Sequence, residues 1–231
     1  MNKIRLVSAS RFDNDDFKSN ALLAKSLSSY CPINVEPIIY TNNSLSLSEI
    51  YNNEIEKSEN DPAILVFVHD DVMLLDYYWP IRVQEGLEKF DVIGVAGNKR
   101  RLPYQPGWGH KGFSNNTFVW EDDEFLSGLV AHDDTWPPKI MTHYGPTNQK
   151  VVQLDGVFLA AKSDTLLRNN IRFDQNFTFH FYDLDFSRTC EQKGLSMGTV
   201  PLAICHGGKG NMNNPEYIKM YNVYNQKWEN K

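Results

Sequence analysis

The chain has 231 residues, 41% hydrophobic and 23% charged, with a net charge of -6. This is ordinary globular composition: it excludes a largely disordered chain and fits one large domain, or one domain with a substantial insertion. An acidic balance argues against a nucleic-acid partner, although a local basic site for a diphosphate stays compatible with it. Three cysteines, Cys31, Cys190 and Cys205, with no CxxC spacing, argue against a disulfide framework or a structural zinc site. Met1 to Ser10 carries only a short apolar run, and no stretch is long enough to span a bilayer. The expectation is a soluble, cytoplasmic protein.

Along the chain, IRLVS (Ile4 to Ser8) predicts a first strand and a polar turn through Ser10, Arg11 and Asp13. A helix is expected from about Asp16 to Ser29, a strand from Asn34 to Tyr40, and a helix from Ser48 to Lys57. Ile64 to Val68 (ILVFV) is a continuous apolar run of strand length, the pattern of a strand buried on both faces. It stops abruptly at His69-Asp70-Asp71. A helix near Ile81 to Lys89 and a strand from Asp91 to Ala96 follow. Strand and helix in alternation predict an α/β fold with a mixed, mostly parallel central sheet flanked by helices. Ligands of such sheets bind beyond the carboxyl ends of the strands, where the residues after Val7 and Val68 sit.

From Gly97 to Lys150 the regular pattern fades and Gly, Pro, Trp, His and Asn crowd in, so an irregular insertion is expected. A strand returns at Gln153 to Ala161 with Asp155-Gly156 inside it. A helix then opens at Tyr182-Asp183-Leu184-Asp185 and ends near Gly194. Leu195 to Cys205 predicts one more strand, delivering His206 and the glycine-rich Gly207-Gly208-Lys209-Gly210. The tail from Asn214 predicts a final helix, with Asn214 as cap, Pro215 at its first position, and Tyr217, Tyr221, Tyr224 and Trp228 on one face. No internal repeat is visible.

Four groups could carry chemistry. Adjacent carboxylates Asp70 and Asp71 after a buried strand either hold a hard divalent cation or merely cap a turn. Asp183, in a first helical turn, is either a dipole-favoured acid or a general base that the helix dipole keeps ionised. His206 before its glycines is either structural or a ligand, with backbone amides and Lys209 available to a phosphate. In the insertion Trp108, His110, Trp120, Trp136 and Tyr144 either stack on sugar rings or pack the loop onto the sheet.

In order along the chain, LVSAS, SLSEIYN, ILVFVHDDV, VVQLDGVFLAAK and FTFHFYDLDFSRTCEQKGLSMGTVPLAICHGG resemble glycosyltransferases of the family-2 type with the GT-A fold. The resemblance runs from Ile4 to about Gly210. It implies a single domain over 1–231: a nucleotide-binding half (1–96), an acceptor-binding and catalytic half (97–213), and a C-terminal helix (214–231). It implies a Mn²⁺ or Mg²⁺ ion held by Asp71 and His206. Asp70, Ser8, Arg11 and Lys209 would hold the nucleotide, and Asp155, Gly156, Trp108 and His180 the substrate. Asp183 would be the catalytic base. His69 stands where many relatives have an acid, and Tyr182 where the commoner pattern has Glu. The implied partners are a nucleotide-sugar donor, UDP-linked as the first candidate, and a glycan or lipid-linked glycan acceptor in bacterial surface glycan synthesis, with inversion at the anomeric carbon.

Two rivals remain on the residues alone. One is a phosphoesterase-like metal hydrolase using His69, Asp70, Asp71 and His206, with His132-Asp133-Asp134 as a second cluster. The other is a non-catalytic sugar-binding module. The aromatic tail either packs on its own domain, the favoured alternative, or makes a peripheral membrane contact with Lys219 and Lys227.

Overall fold

The computed structural model describes residues 3–114, 117–135, 137–208, 212 and 214–229. In chain order the elements are β1 (Ile4–Ala9), α1 (Asn14–Asn20), α2 (Leu22–Ser29), β2 (Val35–Tyr40), α3 (Leu47–Lys57), β3 (Ile64–Val68), β4 (Val72–Leu74) and α4 (Trp79–Gly86). Next come β5 (Val92–Gly94), β6 (Ala96–Asn98), β7 (His110–Ser114), β8 (Thr117–Trp120), a 3-10 turn (Asp123–Phe125), β9 (Leu126–His132) and β10 (Ile140–Gly145). The remainder is β11 (Lys150–Val151), β12 (Gln153–Leu154), β13 (Phe158–Lys162), α5 (Ser163–Arg168), α6 (Tyr182–Gln192), β14 (Met197–Thr199), β15 (Ile204–His206) and α7 (Pro215–Trp228).

The main sheet has seven strands in the order β11-β14-β5-β13-β3-β1-β2. Strands β2, β1, β3, β5 and β14 run one way, while β13 and β11 run against them. The fold is therefore mixed α/β, with the parallel part broken by β13 at the centre. All five residues of β3 are buried. Leu65 and Phe67 enter the core shared with α3, α5, α6 and α7, while Ile64, Val66 and Val68 enter the core shared with α1, α2 and α4. Period-2 alternation thus builds two cores from one strand. Pro37 lies in β2 at the sheet edge, where a missing N–H costs no ladder bond.

The single helix expected from Asp16 to Ser29 is two. Asp13 caps α1 through the Asp15 and Asp16 amides, and Ala21 between the helices is extended. The break sends the Leu23 N–H to the Asp70 carbonyl at 3.1 Å, so α2 anchors the loop after β3.

The stretch from Gly97 to Lys150 is also not irregular. It holds the β7–β8 hairpin and the antiparallel pair β9–β10, part of a second sheet ordered β12-β6-β9-β15-β4. Gly128 hides the β9 signal. At φ 128° its Cα crosses against β6, where a Cβ would lie 2.3 Å from the Val95 carbonyl oxygen.

Three strands expected as continuous each divide between the two sheets: Asp91 to Ala96 at Val95, Gln153 to Ala161 at Asp155-Gly156-Val157, and Leu195 to Cys205 after Thr199. The crossings are stitched together, Val200 N to Gly94 O at 2.9 Å and Asp155 N to Ala96 O at 2.9 Å.

Asn214 caps α7 through the Tyr217 amide at 2.7 Å, and Gly194 closes α6 at φ 76°. Tyr217, Tyr224 and Trp228 are buried on the domain, so these rings of the tail pack inward. No helix among the described residues is long and apolar enough to cross a membrane. Buried Asp185 fixes α7 to α6, accepting from Lys227 Nζ at 2.6 Å and Trp228 Nε1 at 2.8 Å. Trp228→Ala removes the ring and one of these bonds, and should lower the unfolding free energy by about 3–5 kcal/mol in urea titration. Ile218→Ala, on the exposed side of the same helix, should change it by no more than about 0.5 kcal/mol.

Candidate active site

The loop after β3 is pinned on three sides. His69 N donates to Val157 O at 3.2 Å, Leu23 N to Asp70 O at 3.1 Å, and Gly207 N to Asp71 O at 2.8 Å. Rigid backbone on every side lets the buried strand end in polar side chains at a fixed place.

Asp71 Oδ2 lies 3.4 Å from His206 Nε2, and Asp71 Oδ1 lies 3.9 Å from His69 Nδ1. One ligand atom from each of the three residues falls within 4.8 Å of the others. Oδ1 of Asp71 is buried and accepts no hydrogen bond among the described residues, a costly state for a carboxylate oxygen unless a ligand meets it. Gly208 keeps the space beside the cluster clear: a Cβ there would come within 2.6 Å of His206 Nε2 and 2.7 Å of Asp71 Oδ2.

The charges are tuned by the same packing. Burial pushes the Asp71 carboxyl up, but the His206 contact outweighs it and holds the group below its ordinary value. Burial lowers His206, and Asp71 beside it more than restores it. Burial drives His69 below the usual imidazole range, which favours the neutral ring. Asp70 is raised by burial, with a hydrogen bond to Ser10 opposing.

Asp183 stands at the start of α6, after Phe181 in the left-handed region at φ 65°. A non-glycine residue there is a strained position of the kind that gathers at functional sites. Asp183 Oδ2 accepts from Gly156 N at 3.0 Å, and Oδ1 from Leu184 N at 2.9 Å. Its carboxyl is nevertheless raised to about 7, by burial first and by the charge of Asp155 second. The sequence argument that the helix dipole keeps Asp183 ionised is therefore corrected, because desolvation outweighs the helix start. Tyr182 Oη donates to Gly156 O at 2.9 Å and meets His69 Nε2 at 2.8 Å. A Cβ on Gly156 would lie 2.3 Å from the Tyr182 oxygen and 2.9 Å from Asp183 Cβ.

Two clefts adjoin at these residues. The first, ≈ 890 Å³, is lined by Ser10, Arg11, Phe12, the 43–47 turn, Asp70 and Asp71. The second, ≈ 860 Å³, is lined by His69, Asp71, Trp108, Asp155, Gly156, His180, Tyr182, Asp183, His206 and Tyr217, among others. Arg11, Asp71, Thr178 and Phe179 belong to both. Of the residues singled out in the sequence, Arg11, Asp70, Asp71, Trp108, Asp155, Gly156, His180, Asp183 and His206 line one cleft or both. Ser8 does not: it is fully buried in β1, and Ser10 takes the rim position two residues on. Lys209 and Trp136 lie outside the described residues. Trp120 and His110 pack against each other at a tilt, with ring centroids 4.5 Å apart, and line neither cleft, and Tyr144 packs edge-on against Trp108.

The sequence undervalued His69, whose departure from the acidic pattern hid a third cluster member. It gave no sign of Phe179, whose ring stacks by His69 with centroids 6.1 Å apart. The second cluster required by a hydrolase does not form. Asp133 is spent on its own turn, accepting from Thr135 and from Lys139 N, and His69, Asp71 and His206 are the only group among the described residues whose spacing could hold a metal ion.

No curated protein matches the chain. Among solved structures, "Crystal Structure of A197 from STIV" is similar at 11% identity and a TM-score of 0.48, covering 90% of this chain and 86% of that one, a likeness too distant to speak for function. The model of the "Glycosyltransferase like family" matches residues 12–224, a span that includes β2, β3, Asp70, Asp71, Asp183 and His206. By that match the chain belongs to the glycosyltransferase-like family and is a glycosyltransferase.

Proposed function

We propose that this enzyme moves a sugar from a nucleoside diphosphate-sugar to an acceptor hydroxyl, with inversion, on a GT-A scaffold. The observation that carries the proposal is one cleft wall holding both a carboxyl raised to about 7 and an open Asp–His cluster. The setting in mind is cytoplasmic assembly of a bacterial surface glycan, with UDP as the first donor to test.

The first cleft suits the nucleotide. Asp70 and Ser10 offer hydrogen-bonding groups to a ribose, and Arg11 sits between the clefts as a positive partner for a diphosphate. The cluster fits a divalent cation, Mn²⁺ or Mg²⁺, because its orphaned Asp71 oxygen and the empty shoulder at Gly208 leave a polar cradle. Asp71 and His206 would hold it, and when bound it offsets the negative charge that gathers on the leaving diphosphate.

The second cleft suits the acceptor, with Trp108 and His180 in its wall. Asp183 takes the acceptor proton as the oxygen bonds to the anomeric carbon. The bond from that carbon to the diphosphate oxygen breaks, and its electron pair stays on the phosphate. A single base with direct displacement supports inversion.

Donor binding is tested by thermal unfolding with UDP, GDP or CMP, each with and without Mn²⁺ or Mg²⁺. A nucleotide at a hundredfold excess over Kd should stabilise by about 2.7 kcal/mol, roughly 5–10 °C for a chain of this size. The shift should need the cation and vanish in Asp71→Ala. No shift under any combination would sink the donor site.

The base is tested by pH and by mutation. Only the ionised carboxylate can accept a proton, so kcat/KM should climb through about pH 7 and level off above it. Asp155→Asn removes a charge that raises Asp183, so the acid limb should move to lower pH. Asp183→Asn should cost about 10²–10⁴ in kcat while nucleotide binding is kept. A profile flat from pH 5.5 to 8, within roughly twofold, removes Asp183 from this role.

A further inference from the structure

One hydroxyl hydrogen decides which nitrogen of His69 faces the cluster. Tyr182 has a single O–H, and the Gly156 carbonyl 2.9 Å away can only accept, so the hydrogen is directed there. His69 Nε2 lies 2.8 Å from the same phenolic oxygen. The hydrogen in this second bond must therefore come from the imidazole. A neutral ring protonated at Nε2 carries its lone pair on Nδ1, the atom turned toward Asp71 Oδ1. The Tyr182 ring cannot swing away, since it is buried with Tyr51 and Phe173 at centroid distances of 6.0 Å.

We propose that Tyr182 is a positioning residue that holds His69 as an Nδ1 donor. His69 is then the third protein ligand of the cation site, and its two imidazoles and one carboxylate favour Mn²⁺ over Mg²⁺. The proposal rests on the cation reading of the cluster given above. Metal-binding histidines depend on a partner for the second ring nitrogen, which fixes tautomer and orientation. Here that partner is a phenol, itself fixed by a backbone carbonyl. Mg²⁺ prefers oxygen and gives up water reluctantly, while imidazole suits the later first-row ions. An acid at position 69 would give a harder, oxygen-rich site.

The test is direct titration of the full chain with Mn²⁺, read from the electron paramagnetic resonance of the free ion, with Mg²⁺ as competitor. Tyr182→Phe should weaken Mn²⁺ binding by about 10–100-fold. In a His69→Ala background the same change should do little, within roughly twofold, because Tyr182 acts through His69. A merely structural tyrosine would weaken both backgrounds alike, and that result overturns the proposal. His69→Asp should lower the ratio of Mn²⁺ to Mg²⁺ affinity; an unchanged ratio overturns the selectivity. Should Tyr182→Phe fail to fold, the His69 variants carry the test alone. Wild-type affinity in His69→Ala removes His69 as a ligand and leaves the cation reading standing, whereas a wild-type chain that binds neither ion overturns both.

Discussion

The site depends on one residue with no side chain. Gly156 gives its N–H to Asp183 and its carbonyl to the Tyr182 hydroxyl. These bonds bring the start of α6 against the crossing between β12 and β13. A methyl group at this position would strike both Tyr182 and Asp183. Through the Tyr182 side chain the same residue reaches His69, so the candidate base and the candidate metal cluster are registered to each other through the Gly156 backbone. Side-chain contacts alone would give a looser relation, because each long side chain adds rotamers of its own.

That crossing exists because strands change sheets. Where the chain passes between the sheets, from β5 to β6, from β12 to β13 and from β14 to β15, the ladder opens and the two clefts form beside the carboxyl end of β3. Parallel strands supply the loop bearing His69, Asp70 and Asp71, and antiparallel β13, pairing with both β3 and β5, fixes the crossing beside it. The second sheet brings His206 in from β15, whose partner β4 begins directly after Asp71. One short antiparallel pairing thus sets the distance between two residues more than 130 positions apart.

Much of this was legible from local pattern. ILVFV followed by His69-Asp70-Asp71 told both the buried strand and the polar loop, because period, composition and an abrupt charge boundary agree. Asn214-Pro215 and Gly194 told helix ends through capping chemistry. What escaped was long-range. The division of three strands between two sheets leaves no local mark, since each half keeps a strand's composition. The β9–β10 pair was masked by Gly128, which reads as a breaker but is needed for close passage against β6. Ser8 and Ser10 differ by two residues and have the same local chemistry; only the end of the β1 ladder decides which one reaches a cleft.

Asp71 and Asp183 show why residue type alone could not assign roles. Both are partly buried carboxylates on one cleft, yet Asp71 is held below its ordinary value by His206 while Asp183 rises from 3.8 to about 7. A helix start offers roughly 0.3–1 kcal/mol to an anion. The rise at Asp183 corresponds to about 4 kcal/mol against the charged form. Desolvation wins, and two backbone N–H bonds only moderate it. An acid hydrogen-bonded by a neighbouring imidazole is held below its ordinary value and suits an ion; an acid facing only dipoles and a second acid is raised toward neutral pH and suits proton transfer. The fold places these two environments on the wall of one cleft, and the difference between them is what makes Asp71 and Asp183 different reagents.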